Sequence, residues 1–369
     1  MPGYVLPKRL EGRTLIDAYV PQILTNSLTL VTSIMDPLGL SLDPYPCTAN
    51  HSCAPNAFVL NDGATLVLRA MRPIAQDEEL FVSYIDGSNP FHKRQAELLD
   101  RYYFTCKCAK CTQGPTGAED AFAPLTPAQT AQLPSLTRAL PFDTPAPAPD
   151  APAEEHLRAI ETAAFAALDQ AHRLTNSADP TEPLRLVSES LRLLKTCGGF
   201  APARQPRPAL RDELVVFALA AGQLVPAWQH AAARHVLTDK TLLPASHPLR
   251  AVHAFVFSTL TALLIMCASD EASGGEAGAW PGATAQTRQL VRKYGIELGT
   301  VLYGVLGEVV AAVPQGHGVN SRFARAVGAA MERMGVSAEA LGPERLRSYA
   351  GKIGAMWEVV GKMVGDMEF

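Results

Sequence analysis

Tyr102-Tyr103-Phe104-Thr105-Cys106-Lys107-Cys108-Ala109-Lys110-Cys111 sets three cysteines close together. A structural zinc ion takes four ligands in a tetrahedron, so such a trio needs a fourth from elsewhere in the chain. Upstream lies Asn50-His51-Ser52-Cys53-Ala54-Pro55-Asn56, and Cys53 is the leading candidate. A zinc finger carries two ligands at each end of a short loop. Here one remote cysteine would be tied to a compact trio, stapling two distant segments. The competing reading is a set of buried thiols that pack as small apolar side chains.

Working outward, Asn61-Asp62-Gly63 is a turn signal between Phe58-Val59-Leu60 and Thr65-Leu66-Val67-Leu68, which predicts a hairpin. The β-prone stretch 79–84 predicts one more strand, followed by Asp86 and a short helix over 90–103 that delivers the cysteines.

The order of these motifs resembles a known family. Asn26 to Cys111 resembles the C-terminal half of a SET domain with its post-SET cysteines, most like the SET and MYND (SMYD) group of protein lysine methyltransferases. Asn26-Ser27 is similar to the family's early asparagine motif, Asn50-His51-Ser52-Cys53 to its cofactor motif, and Ser83-Tyr84 to its tyrosine motif. The resemblance implies Tyr84 and Tyr102 as catalytic residues, the first orienting the lysine amine and the second forming an aromatic wall. It implies Asn26, Asn50, His51 and Phe104 as contacts to S-adenosylmethionine, and Cys53, Cys106, Cys108 and Cys111 as zinc ligands. Taken alone, Asn50 could cap a turn and His51 could be a buried ring with its hydrogen bonds satisfied. One departure is Gln76-Asp77 ahead of Glu78-Glu79, where the family has a glycine; aspartate tolerates the left-handed turn this suggests.

The family's first half, with its Gly-x-Gly turn and cysteine-rich MYND module, has no counterpart here. Met1 to Leu24 holds no cysteine and only the isolated Gly3 and Gly12. The expectation is therefore either a truncated gene product or a relative without activity, the latter a zinc-stabilised scaffold for protein interaction.

The 369 residues, 47% hydrophobic, are enough for two cores. A net charge of −4 without a basic stripe argues against direct nucleic-acid binding. Cys47, Cys197 and Cys267 are scattered singletons, which fits a reducing compartment, cytoplasmic or nuclear. The N-terminus reads as no secretory signal. The apolar runs 255–267 and 296–313 are a short stretch and one carrying Glu297 and Glu308, so buried helices are expected rather than a membrane anchor.

Residues 114–153 are rich in Pro and Ala, densest at Thr144-Pro145-Ala146-Pro147-Ala148-Pro149, and predict an extended linker or a long surface loop. Beyond it, Leu157, Ile160, Ala164 and Leu168, then Leu184, Val187, Leu191 and Leu194, recur at helical spacing. Further helices are expected over 209–221, 226–237, 247–267, 287–313, 321–334 and 343–367. His230 and His235 read as ordinary helix residues, and Trp280, in a Gly-rich loop, as a packing anchor or a binding handle.

The fold class expected is α+β: a partial SET domain with its zinc site over 1–113, the linker over 114–153, and an all-helical, tetratricopeptide-like domain over 154–369. The function implied by the resemblance is S-adenosylmethionine-dependent lysine N-methylation of a protein substrate, histone or non-histone. A further protein partner could use the helical surface.

Overall fold

The computed structural model describes residues 25–368 apart from 118, 143, 176–178 and 270–279, together with positions 20 and 23. The stretch before Thr25, where the Gly-x-Gly half was sought, otherwise lies outside the described residues. Two compact units emerge: one ends at Gly87 and adds His92–Thr112, the other holds Ser88–Phe91 and everything from Gln113. Together they give the α+β class, with strands confined to the first unit among the described residues.

In the first unit β1 (Leu28–Val31) pairs antiparallel with β2 (Pro37–Ser41). A 3-10 turn over Pro46–Thr48 leads into β3 (Asn50–His51). The expected hairpin forms from β4 (Ala57–Asp62) and β5 (Thr65–Ala70), with Asp62 opposite Thr65. Its tight loop is Gly63-Ala64, one residue later than the turn signal suggested, and Gly63 supplies the positive φ of 71° that a two-residue hairpin needs. Asp77 stands at φ 64°, so aspartate fills the left-handed turn where glycine was expected.

The strand expected over 79–84 shrinks to β6 (Phe81–Val82), which runs parallel to β3 in the register Asn50↔Phe81 and His51↔Val82. The reason lies in Asn56, which is almost fully buried. Its amide donates to the Glu79 carbonyl at 2.8 Å and its oxygen accepts from the Phe81 N–H at 2.8 Å, replacing ladder bonds with side-chain bonds. Helix α1 (Phe91–Tyr102) then ends on Tyr103, whose φ of 60° breaks the helical path, and α2 (Ala109–Thr112) carries the last cysteine.

The regular elements of the second unit are all helices among its described residues: α3 (Pro127–Arg138), α4 (Ala153–Arg173), α5 (Thr181–Cys197), α6 (Arg207–Ala220) and α7 (Leu224–Arg234). A π-helical stretch, His235–Asp239, follows, then α8 (Pro248–Ser269), α9 (Ala283–Tyr294), α10 (Leu298–Gly316), α11 (Arg322–Arg333) and α12 (Pro343–Glu368). Leu133, Leu157, Ile160, Leu191, Leu194, Leu210 and Leu214 build one core from α3 to α6. The apolar helices α8 and α10 pack on each other with about half of each apolar span buried, as core helices do.

Three expectations for this region are corrected. The stretch 114–153 is not an extended linker along its whole length, because α3 lies within it. Thr126 and Gln129 close a capping box, Pro127 sits in the first turn where its missing N–H costs nothing, and Leu133 is buried in the core. The single helix expected over 287–313 is two, since Gly295 caps α9 in the left-handed conformation with its N–H on the Val291 carbonyl. His235, read as an ordinary helix residue, is instead buried in the π-helical stretch, its ring 4.9 Å from Trp357 and 5.6 Å from Phe257. Trp280 is half-buried, and the loop before it lies outside the described residues.

Candidate metal centre and tyrosine site

The four cysteines singled out by spacing meet in the first unit. Their sulfurs all lie within 4.8 Å of one another, with Cys53 to Cys111 at 3.5 Å and Cys53 to Cys106 at 4.0 Å. Zinc–sulfur bonds of about 2.3 Å in a tetrahedron place sulfurs about 3.8 Å apart, so the arrangement fits a zinc ion. It does not fit disulfides, whose sulfurs stand about 2.05 Å apart, and all four thiols are free.

Burial, then the hydrogen bond to Cys111 and the neighbouring thiols, push Cys53 well above the ordinary thiol range. Burial likewise lifts Cys106 to about 11. Burial works against ionisation of Cys108 too, yet backbone N–H groups of Cys111 and Cys53 bring it down to about 6. Backbone N–H donors thus favour a thiolate at Cys108, whereas burial favours the protonated forms of Cys53 and Cys106.

Three residues that spacing did not reveal hold this knot in place. Gln95 grips the Cys106 backbone on both sides, its oxygen accepting from the N–H at 3.0 Å and its amide donating to the carbonyl at 3.1 Å. Lys110 donates to the Gly87 carbonyl at 2.7 Å. Gly87 itself packs so closely that a Cβ there would sit 2.8 Å from the Cys53 carbonyl oxygen. No local sequence signal marks these, since each depends on a contact made across the fold.

Beside the knot lies an aromatic group. The Tyr84 hydroxyl donates to the Ala49 carbonyl at 2.7 Å, and its ring centre is 4.9 Å from that of Tyr102. Tyr102 donates to the Tyr84 carbonyl at 3.3 Å, while Tyr103 points outward, 76% exposed. Burial raises the Tyr84 phenol above its usual value, with Tyr102 and Cys47 adding to the shift, so the hydroxyl stays protonated at neutral pH.

His51 joins the two groups. Nδ1 accepts from the Tyr84 backbone N–H at 3.0 Å and Nε2 lies 3.2 Å from the Cys53 sulfur. Burial, reinforced by Arg94, lowers His51 to about 4, so the ring is neutral. Both ring nitrogens have protein partners, as in the buried, satisfied ring of the plainer reading.

The other expected cofactor residues sit at the edge of the same group. Asn50 is exposed, its amide donating to Glu79 at 2.7 Å. Asn26 is exposed, and its carbonyl accepts from the Cys47 thiol at 2.6 Å. Phe104 is half-buried with its ring 6.0 Å from that of His51.

Residues 13–85 match the SET domain family. The SET domain and MYND-type zinc finger protein 6 of Schizosaccharomyces pombe is 44% identical over 98 residues, 27% of this chain and 20% of that protein. The human N-lysine methyltransferase SMYD2 is 38% identical over 91 residues, 25% of this chain and 21% of that protein. The mouse histone-lysine N-methyltransferase SMYD3 is 37% identical over 90 residues, 24% and 21% respectively. The chain thus spans about a fifth of the length of the curated relatives it matches. Over the matched residues the chain is similar to the SET domain family and to a segment of each of these three proteins.

Proposed function

We propose that the first unit serves S-adenosylmethionine-dependent lysine N-methylation of a protein, with a zinc ion held by Cys53, Cys106, Cys108 and Cys111. The observation that carries the reading is the Tyr84 hydroxyl, fixed by Ala49 beside the Tyr102 ring.

A lysine amine with an ordinary pKa of about 10.4 is protonated at neutral pH and has no lone pair for attack. S-adenosylmethionine, when bound, supplies an electrophilic methyl group. The protein's part is to favour the neutral amine and hold it in line. Because the Tyr84 proton is spent on the Ala49 carbonyl, the phenolic oxygen is left as an acceptor for an amine N–H. The paired Tyr84 and Tyr102 rings tolerate the cationic state through their faces and exclude water from the amine. Asn26, Asn50 and Phe104 are the residues proposed to hold the cofactor. The substrate class is a protein presenting an exposed lysine.

The test is zinc stoichiometry, calorimetric titration with S-adenosylmethionine, and methyl transfer to lysine-bearing proteins. Tyr84→Phe is expected to lower kcat by about 10²-fold or more while leaving zinc content and cofactor affinity unchanged. Bound zinc without cofactor affinity would overturn the catalytic reading in favour of a zinc-stabilised interaction scaffold.

A further inference from the structure

The ring of His51 lies between two groups with different tasks. On one side is the backbone N–H of Tyr84, 3.0 Å from Nδ1; on the other is the sulfur of Cys53, 3.2 Å from Nε2. The N–H of Tyr84 can only donate, so Nδ1 must present its lone pair, and the ring proton is left on Nε2, pointing at the sulfur. The residue is 8% exposed and its ring is packed against those of Tyr84 at 5.2 Å and Phe104 at 6.0 Å, which leaves little room to rotate. The parallel pairing of His51 with Val82 and the bond from Ser52 N–H to the Val82 carbonyl at 3.0 Å fix the backbone on the same line.

We propose that His51 is a positioning residue that couples the cysteine site to Tyr84, its single ring clamping a zinc-ligand sulfur to the backbone of the catalytic tyrosine. The catalytic half of this statement and the zinc ion both rest on the function proposed above; the two contacts of the His51 ring do not. A thiolate that binds metal accepts a stronger hydrogen bond than a thiol does, because it carries charge. Metal loading therefore tightens Nε2–H against sulfur, and through the same rigid ring holds the Tyr84 N–H in place. Outer hydrogen bonds to metal ligands act in this way at many zinc sites, where their loss weakens metal affinity by roughly 10–100-fold.

Two substitutions separate the bonds. In His51→Asn the side-chain oxygen overlays Nδ1 and keeps the Tyr84 bond while losing the bond to sulfur. In His51→Gln the terminal amide overlays Nε2 and keeps the bond to sulfur while losing the bond to Tyr84. Zinc affinity, read by competition with a chelator, is expected to fall about tenfold in His51→Asn and to stay near wild type in His51→Gln. Hydrogen exchange of the Tyr84 amide in the zinc-loaded protein is expected to accelerate about tenfold in His51→Gln only, with the β4–β5 hairpin amides unchanged as the control. Neither readout uses methyl transfer, so a chain without activity fails the functional proposal and leaves this one to be judged separately.

Equal zinc affinity in both variants and the wild type, or equal Tyr84 protection in both variants, would overturn the coupling. Where a variant does not fold, nitrogen-15 resonances of the wild-type ring in the zinc-loaded chain decide. A protonated Nε2 with a bare Nδ1 supports the assignment, and the opposite tautomer sinks it.

Discussion

At the residue scale, Gly87 shows how the knot of cysteines constrains a position that contributes no side chain. A methyl group there would stand 2.8 Å from the Cys53 carbonyl oxygen, a backbone atom that cannot swing aside. Gly87→Ala must therefore displace either the loop bearing Cys53 or the carbonyl that Lys110 holds. The expected result is a loss of about 1–3 kcal/mol, the usual cost of overpacking, together with faster zinc release to a chelator. A melting curve and a chelation time course on the same sample check both, and an unchanged pair would refute the close approach. The spacing of Cys106, Cys108 and Cys111 was legible because metal geometry imposes it on neighbours in sequence. Asn56, Gln95 and Gly87 were not, because their partners lie 11 to 34 residues away and nothing local records a long-range bond.

At the scale of elements, the helical unit depends on a buried ion pair between two of its segments. Arg204, just ahead of α6, meets Glu161 of α4 at 2.6 Å with both side chains almost fully buried. Its guanidinium lies 4.1 Å from the Phe122 ring centre and 5.0 Å from that of Phe200. Glu161→Gln strips the charge from one side only and leaves Arg204 without its carboxylate, so a loss of about 3–5 kcal/mol is expected in chemical denaturation. Adding Arg204→Met should recover part of that loss in a double-mutant cycle, and simple additivity would contradict the pairing. A milder contact joins α4 to α6, where His172 meets Glu213 at 2.9 Å on the surface. The hydrogen bond that His172 donates to Glu213 raises the His172 pKa above 6.5, against the effect of burial. Its contribution is full below pH 6.5 and is lost as pH rises through the raised value; being half-exposed, it is worth under about 1 kcal/mol. His172→Gln should flatten the fall in melting temperature of the helical unit between pH 6 and 8, and an unchanged slope would exclude the pair as its source. Element reading from sequence succeeded where periodicity is strong, as in α4 and α5. It failed in the part of 114–153 where Pro127 serves α3 at its first turn, and at Gly295, where one left-handed residue divides the single helix expected over 287–313.

At the scale of the whole molecule, the two units differ in what holds them together. The described strands of the first unit form three separate two-stranded sheets, and such pairs are marginal in water without further packing. Among its described residues the buried apolar ones are few: Ala57, Leu60, Val82, Ile85 and Leu98, beside the cysteines themselves. The second unit has extensive cores along its helices, from Leu133 to Val364. A small unit with a thin core needs a staple, and a structural zinc site supplies on the order of 10 kcal/mol of binding energy that the unfolded chain does not recover. Calorimetric unfolding of the zinc-loaded chain should therefore show a transition for the first unit that a strong chelator lowers by more than about 10 °C, and a second for the helical unit that it leaves within about 2 °C. Cys106→Ser should reproduce the chelator's effect without it, because three sulfurs no longer close the tetrahedron. If chelation moves neither transition, the four cysteines are buried thiols and the first unit stands on its apolar contacts alone. If it moves both equally, the helices depend on the metal as well, and the division into a stapled unit and a self-sufficient one fails.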